Sequence, residues 1–273
     1  MKKYATAFIL AASLSAAASP MKVMTYNIRY SAGDRNSADN NWEARRDDLA
    51  NLVESANPDV AGFQEVLPDQ RKWLETRFPG YVFVGEGRNA DRVNGESSPI
   101  AFRKDRFESV KSGTFWLSET PDKPSKGWDA ACFRTATWTL VKDKRSGKKF
   151  YFIDTHLDHK GTEARRLGIQ VIIDKIAEIN KQGLPIVLVG DFNMEYDHPS
   201  MAPAREQLQD ARRTAMKSDD HFTFNGWGRS RDSIDFIWYS GFSSCPEYET
   251  VTKPYMDRTY ISDHFPVKAK LLF

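Results

Sequence analysis

The segment Pro185-Ile186-Val187-Leu188-Val189-Gly190-Asp191-Phe192-Asn193 is the most informative stretch of this chain. Its first five residues are apolar and rich in β-branched side chains, a pattern typical of a strand that is buried on both faces. Such a strand lies at the centre of a sheet that is covered on both sides. Asp191 and Asn193 follow directly, so the strand ends either in an Asx turn or in a site that uses polar groups for chemistry.

Hydrophobic periodicity on either side of this strand predicts alternating helices and strands. Helical spacing of apolar residues predicts helices over 42–57, 69–78 and 162–181. Strands are predicted over 22–29, 60–66, 81–84, 99–107, 135–142, 149–154, 185–189, 233–239 and 266–273. The strands 135–142 and 149–154 form a predicted hairpin, while strand–helix–strand passages give parallel neighbours. The predicted fold class is therefore α/β, with mixed sheets packed face to face and helices outside.

The first 18 residues form a separate unit. Two lysines precede a mostly apolar stretch that ends in three alanines, which is the pattern of a secretory signal peptide. We expect cleavage after Ala18, a periplasmic or secreted location, and a single domain over residues 19–273 with no transmembrane segment. An uncleaved N-terminal anchor or a helical extension is the alternative.

Net charge bears on the class of partner. Removing Lys2 and Lys3 with the signal peptide reduces the 39 basic residues to 37, which equals the 37 acidic residues. Proteins that bind nucleic acid usually carry a basic excess, so this balance argues mildly against a dedicated nucleic-acid partner. We expect a monomer that acts on a phosphate-ester substrate.

The two cysteines, Cys132 and Cys245, are too few for a cysteine-based metal site. Export permits a disulfide between them, and spacing alone does not decide the matter, but we expect two buried thiols.

Polar and titratable side chains gather at the predicted strand ends. They are Asn27, Glu65, His156, Asp158, Asp191, Asn193, Asp263 and His264, and Asp235 lies within an otherwise apolar strand. Buried carboxylates are costly unless they are paired or bound to a metal. Oxygen-rich groups of this kind suit hard cations such as Mg²⁺, Mn²⁺ or Ca²⁺ better than zinc.

Six short motifs at these positions resemble the endonuclease/exonuclease/phosphatase family, whose members share the deoxyribonuclease-I-like fold. They are TYNIR (25–29), QEV (64–66), THLD (155–158), GDFN (190–193), IDFI (234–237) and SDHFPV (262–267), and they occur in the family's order. Each motif alone is weak, but six in order are specific. The resemblance implies a four-layer α/β sandwich of two mixed sheets and a metal-dependent phosphoric ester hydrolase, of the compact exported bacterial branch.

The resemblance also implies roles for individual residues. Glu65, with Asn27 and Asp263 nearby, would hold the metal, which is expected to be Mg²⁺. Asp191 would orient or deprotonate the attacking water, assisted by Asn193. His264, oriented by Asp235, would contact the phosphate, and His156 would be a second phosphate contact or the acid. The acid and base assignments of the two histidines stay open.

Four further residues are weaker candidates for binding substrate. Glu96 lies in a segment that resembles the one whose glutamate supports the catalytic histidine, so we expect it to orient His156. Arg88 and Arg134 carry planar guanidinium groups suited to phosphate, although structural ion pairs would explain them equally well. Asp158 either binds substrate or only shapes its loop. The natural substrate stays open between a phosphodiester, a phosphomonoester and nucleic acid, and a non-catalytic binding module is the alternative from another class.

Overall fold

Two mixed sheets of six strands each make up the body of the protein. The structure is a computed structural model that describes residues 20–253 and 258–273. In spatial order the first sheet consists of β11 (Ser244–Thr250), β12 (Val267–Leu272), β1 (Met21–Asn27), β2 (Val60–Gln64), β4 (Ile100–Arg103) and β3 (Tyr81–Val84). The second consists of β5 (Phe107–Trp116), β6 (Thr135–Asp143), β7 (Lys149–His156), β8 (Ile186–Asp191), β10 (Asp235–Ser240) and β9 (Gln209–Asp210).

The inner faces of the two sheets enclose the central core. Val60 and Phe102 from the first sheet and Phe150, Phe152 and Val187 from the second belong to one fully buried cluster. This is why the 185–189 segment is apolar on both faces, since β8 is covered by the other sheet on one side and by helices on the other. The prediction of a buried central strand is confirmed.

Helices cover the outer faces. They are α1 (Trp42–Ala56), α2 (Pro68–Arg77), α3 (Thr162–Ile179) and α4 (Ala202–Gln207), with a 3₁₀ turn at Pro199–Met201. The short α5 (Ala211–Thr214) instead contacts β10 of one sheet and β11 of the other, and its Ala211 belongs to the central core. The apolar sides of α1 and α2 pack on the first sheet, and those of α3 and α4 pack on the second. The helix–sheet–sheet–helix layering confirms the predicted four-layer sandwich.

Asparagine residues cap both ends of α1. The side chain of Asn41 accepts a hydrogen bond from the amide of Ala44, which satisfies one of the free donors of the first turn. At the other end Asn57 adopts a left-handed backbone conformation, with φ of 44°. Asparagine tolerates this conformation better than most residues, and Pro58 prevents the helix from continuing.

The predicted strand over 99–107 is wrong in its extent. The segment contains β4, which belongs to the first sheet, and then the start of β5, which belongs to the second. A turn between Arg103 and Arg106 carries the chain from one sheet to the other. The rest of β5 and all of β11 were not predicted. Both are edge strands interrupted by a register shift, and most of β5 is also exposed, so neither has a clear alternating pattern.

The predicted signal peptide, residues 1–18, lies outside the residues that the structure describes. Among the described residues, no helix combines the length and the apolar character that spanning a membrane requires.

A buried ion-pair cluster ties the two sheets together at the β2–β6 side of the sandwich. Arg106 contacts Asp59 Oδ2 through Nη1 at 2.5 Å and Asp143 Oδ2 through Nη2 at 3.2 Å. Asp59 precedes β2 in the first sheet, and Asp143 ends β6 in the second. All three residues are buried, so the arginine neutralises two acids that water does not reach.

We expect Arg106→Ala to lower the free energy of unfolding by about 3–5 kcal/mol, because two buried carboxylates lose their counter-ion. Urea unfolding followed by circular dichroism measures the change. The matched control is Arg103→Ala, which removes a more exposed pair with Asp105 and should cost less than about 1 kcal/mol. Equal effects of the two variants would contradict a stabilising role for the buried cluster.

Candidate active site

The strand ends of both sheets meet at one edge of the sandwich. Parallel β7 and β8 end together, with His156 beside Asp191, and antiparallel β10 begins there, with Asp235 beside Asp191. The first sheet contributes Asn27 and Glu65 at the ends of β1 and β2, and Asp263 and His264 just before β12. The eight main predicted residues are therefore brought together.

A cavity of about 350 Å³ opens at this edge. Six of the main predicted residues line it, namely Glu65, His156, Asp191, Asn193, Asp263 and His264. The remaining two, Asn27 and Asp235, are buried behind this wall and reach it through hydrogen bonds.

Asn27 links two carboxylates of the cavity wall. Its Nδ2 donates to Glu65 Oε1 at 3.2 Å and to Asp191 Oδ2 at 3.0 Å, while its Oδ1 accepts from the amide of Arg29 at 3.0 Å. With these bonds the side chain holds Glu65 and Asp191 in place rather than facing the cavity itself.

The backbone at this edge is strained. Glu65 and Asn193 have φ of 63° and 49°, in the left-handed region that non-glycine residues rarely adopt. Each such residue costs on the order of 1–3 kcal/mol and persists only where surrounding contacts enforce it. The amide of Tyr30 donates to Glu65 Oε2 at 3.0 Å, and the Asn193 side chain donates to the carbonyl of Leu157 at 3.0 Å.

Glu65 and Asp263 form a pair of acids in the cavity wall. Arg29 Nη1 lies 3.9 Å from Glu65 Oε2 and 3.6 Å from Asp263 Oδ2, and the same arginine also binds Asp34. Burial raises the pKa of Asp263 and Glu65 adds to the increase, whereas His264, Arg29 and Arg45 oppose it. Two carboxylates that line one cavity offer the oxygen ligands that a hard divalent cation prefers.

A second group of acids surrounds His264. Asp235 Oδ2 lies 2.9 Å from His264 Nδ1 and accepts a hydrogen bond from Thr223 Oγ1 at 2.6 Å. Asp191 Oδ2 lies 3.6 Å from His264 Nε2. Burial alone would lower the pKa of His264, but the Asp235 and Asp191 carboxylates outweigh it and raise that pKa to about 10. His264 is therefore an imidazolium at neutral pH.

In contrast to His264, burial favours the neutral forms of Asp191 and His156. Burial raises the pKa of Asp191 to about 7, with His264 opposing and Asp235 adding to the increase. Burial lowers the pKa of His156 well below its ordinary value, and Arg134 and Arg88 lower it further. His156 Nε2 lies 3.4 Å from Asp191 Oδ2. A carboxyl group that titrates near neutrality beside a neutral imidazole is suited to general base chemistry.

The expectation that Glu96 orients His156 is wrong. Both Glu96 oxygens accept hydrogen bonds from the guanidinium of Arg88, at 2.8 and 2.9 Å. The two residues face each other because the backbone pairs there, with the amide of Arg88 donating to the carbonyl of Glu96. Arg88, Glu96 and Arg134 nevertheless line the cavity, as predicted for substrate-binding groups.

Asp158 shapes its loop and does not line the cavity. Its buried carboxylate accepts hydrogen bonds from the amides of Ala131, Lys160 and Gly161 and from Arg134 Nε at 3.3 Å. Burial would raise the pKa of Asp158, but these backbone amides and Arg134 hold it well below the ordinary range. Asp158 therefore fixes the arginine that faces the cavity.

Other cavity residues were not predicted. They are Arg29, Tyr30, Cys132, His159, Phe224 and Ile234. His159 Nδ1 lies 2.9 Å from Arg134 Nη2, so the two side chains form one part of the wall. The THLD motif ends one residue before His159, and that adjacency was the available signal. Cys132 and Cys245 are both free thiols.

Comparisons with known proteins agree with this architecture. The model of the "Endonuclease/Exonuclease/phosphatase family" matches residues 24–264. An uncharacterized protein of Acanthamoeba polyphaga mimivirus is 26% identical over 270 residues, which cover 90% of this chain and 98% of the viral protein.

Solved structures show the same similarity. The mannosyl-6-phosphatase Bt3783 of Bacteroides thetaiotaomicron VPI-5482 superposes with a TM-score of 0.87 and 34% identity, covering 93% of this chain and 100% of that one. An endonuclease/exonuclease/phosphatase from Bacteroides vulgatus has a TM-score of 0.86 and 35% identity, covering 93% of this chain and 98% of that one. This chain belongs to the endonuclease/exonuclease/phosphatase family and is a phosphoric ester hydrolase.

Proposed function

We propose that this chain is an exported, divalent-metal-dependent phosphatase of small, polar phosphomonoesters, with sugar phosphates as its substrate class. The observation that carries the proposal is the cavity of about 350 Å³, whose lining combines the acids Glu65, Asp191 and Asp263 with the arginines Arg88 and Arg134. Its volume lies at the low end of the roughly 300–1,000 Å³ common for small-molecule sites. A small ester suits such a space better than a nucleic-acid duplex does.

The similarity to a mannosyl-6-phosphatase favours a sugar phosphate. The cavity wall supports the same choice, because Arg88, Glu96 and His159 offer both donors and acceptors to a leaving group rich in hydroxyl groups. A secreted nuclease is the second candidate, and the balanced charge of the mature chain weighs against it.

Glu65 and Asp263 would hold the metal ion, with Asn27 fixing Glu65. When bound, the cation polarises a phosphate oxygen and offsets charge in the transition state. Mg²⁺ is the proposed ion because the two proposed ligands, Glu65 and Asp263, offer carboxylate oxygens, and Mn²⁺ or Ca²⁺ would use the same donors.

Asp191 is the proposed general base. Its Oδ1 accepts the amide of Asn193 at 2.9 Å and its Oδ2 accepts from Asn27, so its orientation is fixed toward the cavity. It would take a proton from the water that attacks phosphorus opposite the leaving oxygen. The leaving oxygen would take its proton from solvent, so the products are inorganic phosphate and the free alcohol. Asn193 keeps Asp191 in this orientation.

His264 and His156 are the proposed phosphate contacts. His264, charged and held by Asp235, would donate a charge-assisted hydrogen bond to a phosphate oxygen through Nε2. His156, kept neutral by burial and by the nearby arginines, is better suited to donate a hydrogen bond to phosphate than to act as an acid. The predicted signal peptide supports a location outside the cytoplasm.

We expect Glu65→Gln to abolish Mg²⁺-dependent hydrolysis, because the substitution removes one of two anionic ligands while keeping the shape of the side chain. The loss of Mg²⁺ affinity should exceed the roughly 10–100-fold that follows removal of a group supporting a ligand. Calorimetric Mg²⁺ titration measures it, with the exposed Glu119→Gln as the control. Unchanged Mg²⁺ affinity in Glu65→Gln would refute the assigned metal site.

Asp191→Asn should lower kcat by about 10²–10⁴-fold, as expected for loss of a general base, with a much smaller change in KM. Steady-state release of inorganic phosphate measures both constants. Asp174→Asn, an exposed substitution on α3, serves as the control and should match the wild type. A decrease in kcat of less than tenfold would contradict the proposed role of Asp191 as the general base.

A substrate panel tests the proposed specificity. With Mg²⁺ present, kcat/KM should be highest for hexose 6-phosphates, lower for nitrophenyl phosphate, and lowest for bis(nitrophenyl) phosphate and supercoiled plasmid. Glu65→Gln run in parallel shows that the activity belongs to this protein. Plasmid nicking that outpaces the release of phosphate from every monoester would favour the nuclease instead.

A further inference from the structure

A fully buried acid lies between the two sheets, outside the set of residues used above. Asp154 sits on β7 with none of its surface exposed, and its carboxyl group faces β2 of the other sheet. A methyl group at Gly62 on β2 would lie 2.6 Å from the carboxyl carbon of Asp154. Glycine at this position therefore makes room for the acid.

The contacts of Asp154 are all with uncharged groups. Its Oδ1 lies 2.6 Å from the terminal amide of Gln64, which also lies 3.0 Å from Thr25 Oγ1. Besides Gln64, the backbone amides of Phe63 and Thr155 act on the carboxyl group, and burial raises its pKa well above the ordinary value. An ionised carboxylate here would be a buried charge with no counter-ion among the described residues that act on it.

The hydrogen-bonding groups of Asp154 and Gln64 include more acceptors than donors. Within the described part of the chain, Asp154 Oδ2 and Gln64 Oε1 are both buried acceptors without a partner. One proton on the carboxyl group turns an acceptor into a donor. With the amide rotated by half a turn, Gln64 Oε1 accepts from that proton and from the hydroxyl group of Thr25. The separation of 2.6 Å is short for N–H···O but falls within the range for O–H···O.

We propose that Asp154 is a neutral carboxylic acid that donates its proton to the side-chain amide of Gln64, forming a buried acid–amide link between the two sheets. Gln64 directly precedes Glu65, and Asp154 lies two residues before His156. The link therefore fixes the spacing between the strand ends that carry these two groups. Asp154 acts as a positioning residue and does not touch the substrate.

The protonation state is tested by comparing the wild type with Asp154→Asn in urea unfolding from about pH 5 to pH 8. In the unfolded chain Asp154 ionises near pH 3.9, whereas in the folded chain it must keep its proton. The wild type therefore loses stability relative to Asp154→Asn as pH rises, and the ratio of their unfolding constants should change about tenfold per pH unit. A ratio that is constant over this range would overturn the proposal.

A matched control separates this effect from burial alone. Asp143 is also a buried acid of the sandwich, but it pairs with Arg106. Asp143→Asn should therefore destabilise the protein by a similar amount throughout the range from about pH 5 to pH 8. Infrared spectroscopy gives a direct readout. The wild type at pH 7 should show a carboxylic-acid carbonyl band that Asp154→Asn lacks, and the absence of this band would also overturn the proposal.

The positioning role rests on the proposed function and is tested by rescue. Asp154→Leu, which cannot hydrogen-bond to Gln64, should lower kcat, whereas Asp154→Asn, which can, should keep kcat and KM close to wild type. Loss of kcat in both variants would refute the positioning role, and Asp154→Asn keeps the test valid if Asp154→Leu does not fold. A wild type inactive on every ester would refute the proposed function alone, because the infrared and unfolding results do not depend on catalysis.

Discussion

The burial of Asp191 is the constraint on which the site depends. Its side chain is 2% exposed, and such a carboxyl group is stable only if other groups satisfy it. Asn27 and His264 approach it from the first sheet at 3.0 and 3.6 Å, and His156 approaches from the second at 3.4 Å. The site therefore exists only while the two sheets are packed in their present register, so fold stability and site geometry have the same origin.

Charged residues of both signs line the cavity. Glu65 and Asp263 share Arg29, and this pair of acids suits a cation. Arg88 and Arg134 offer positive charge that suits an anion. Loop residues fix these two arginines, because Asp158 pairs with Arg134 and Glu96 pairs with Arg88. Strand ends thus supply the chemistry common to the family, and loops supply the features that distinguish one substrate from another.

The sequence predicts the centre of the fold and of the site better than their margins. Strand β8 and the helix α3 have strong periodicity, and Asp191 and His264 sit in motifs adjacent to strand ends. The edge strands β5 and β11 are each interrupted by a register shift, so neither has a clear alternating pattern. The pairing of Glu96 with Arg88 rather than His156 depends on backbone pairing within a loop, and no local pattern predicts it. Asp154 looks like an ordinary strand residue until the glycine opposite it, Gly62, is known.

The most direct test of the account is a crystal structure of the wild-type protein grown with Mn²⁺ and inorganic phosphate. Anomalous scattering locates the metal without reference to activity. We predict a peak bounded by the carboxylates of Glu65 and Asp263, with phosphate between that ion and His264. A metal bound instead by Cys132, Asp158 and His159, whose ligand atoms also lie close together, or phosphate outside the cavity, would contradict the account.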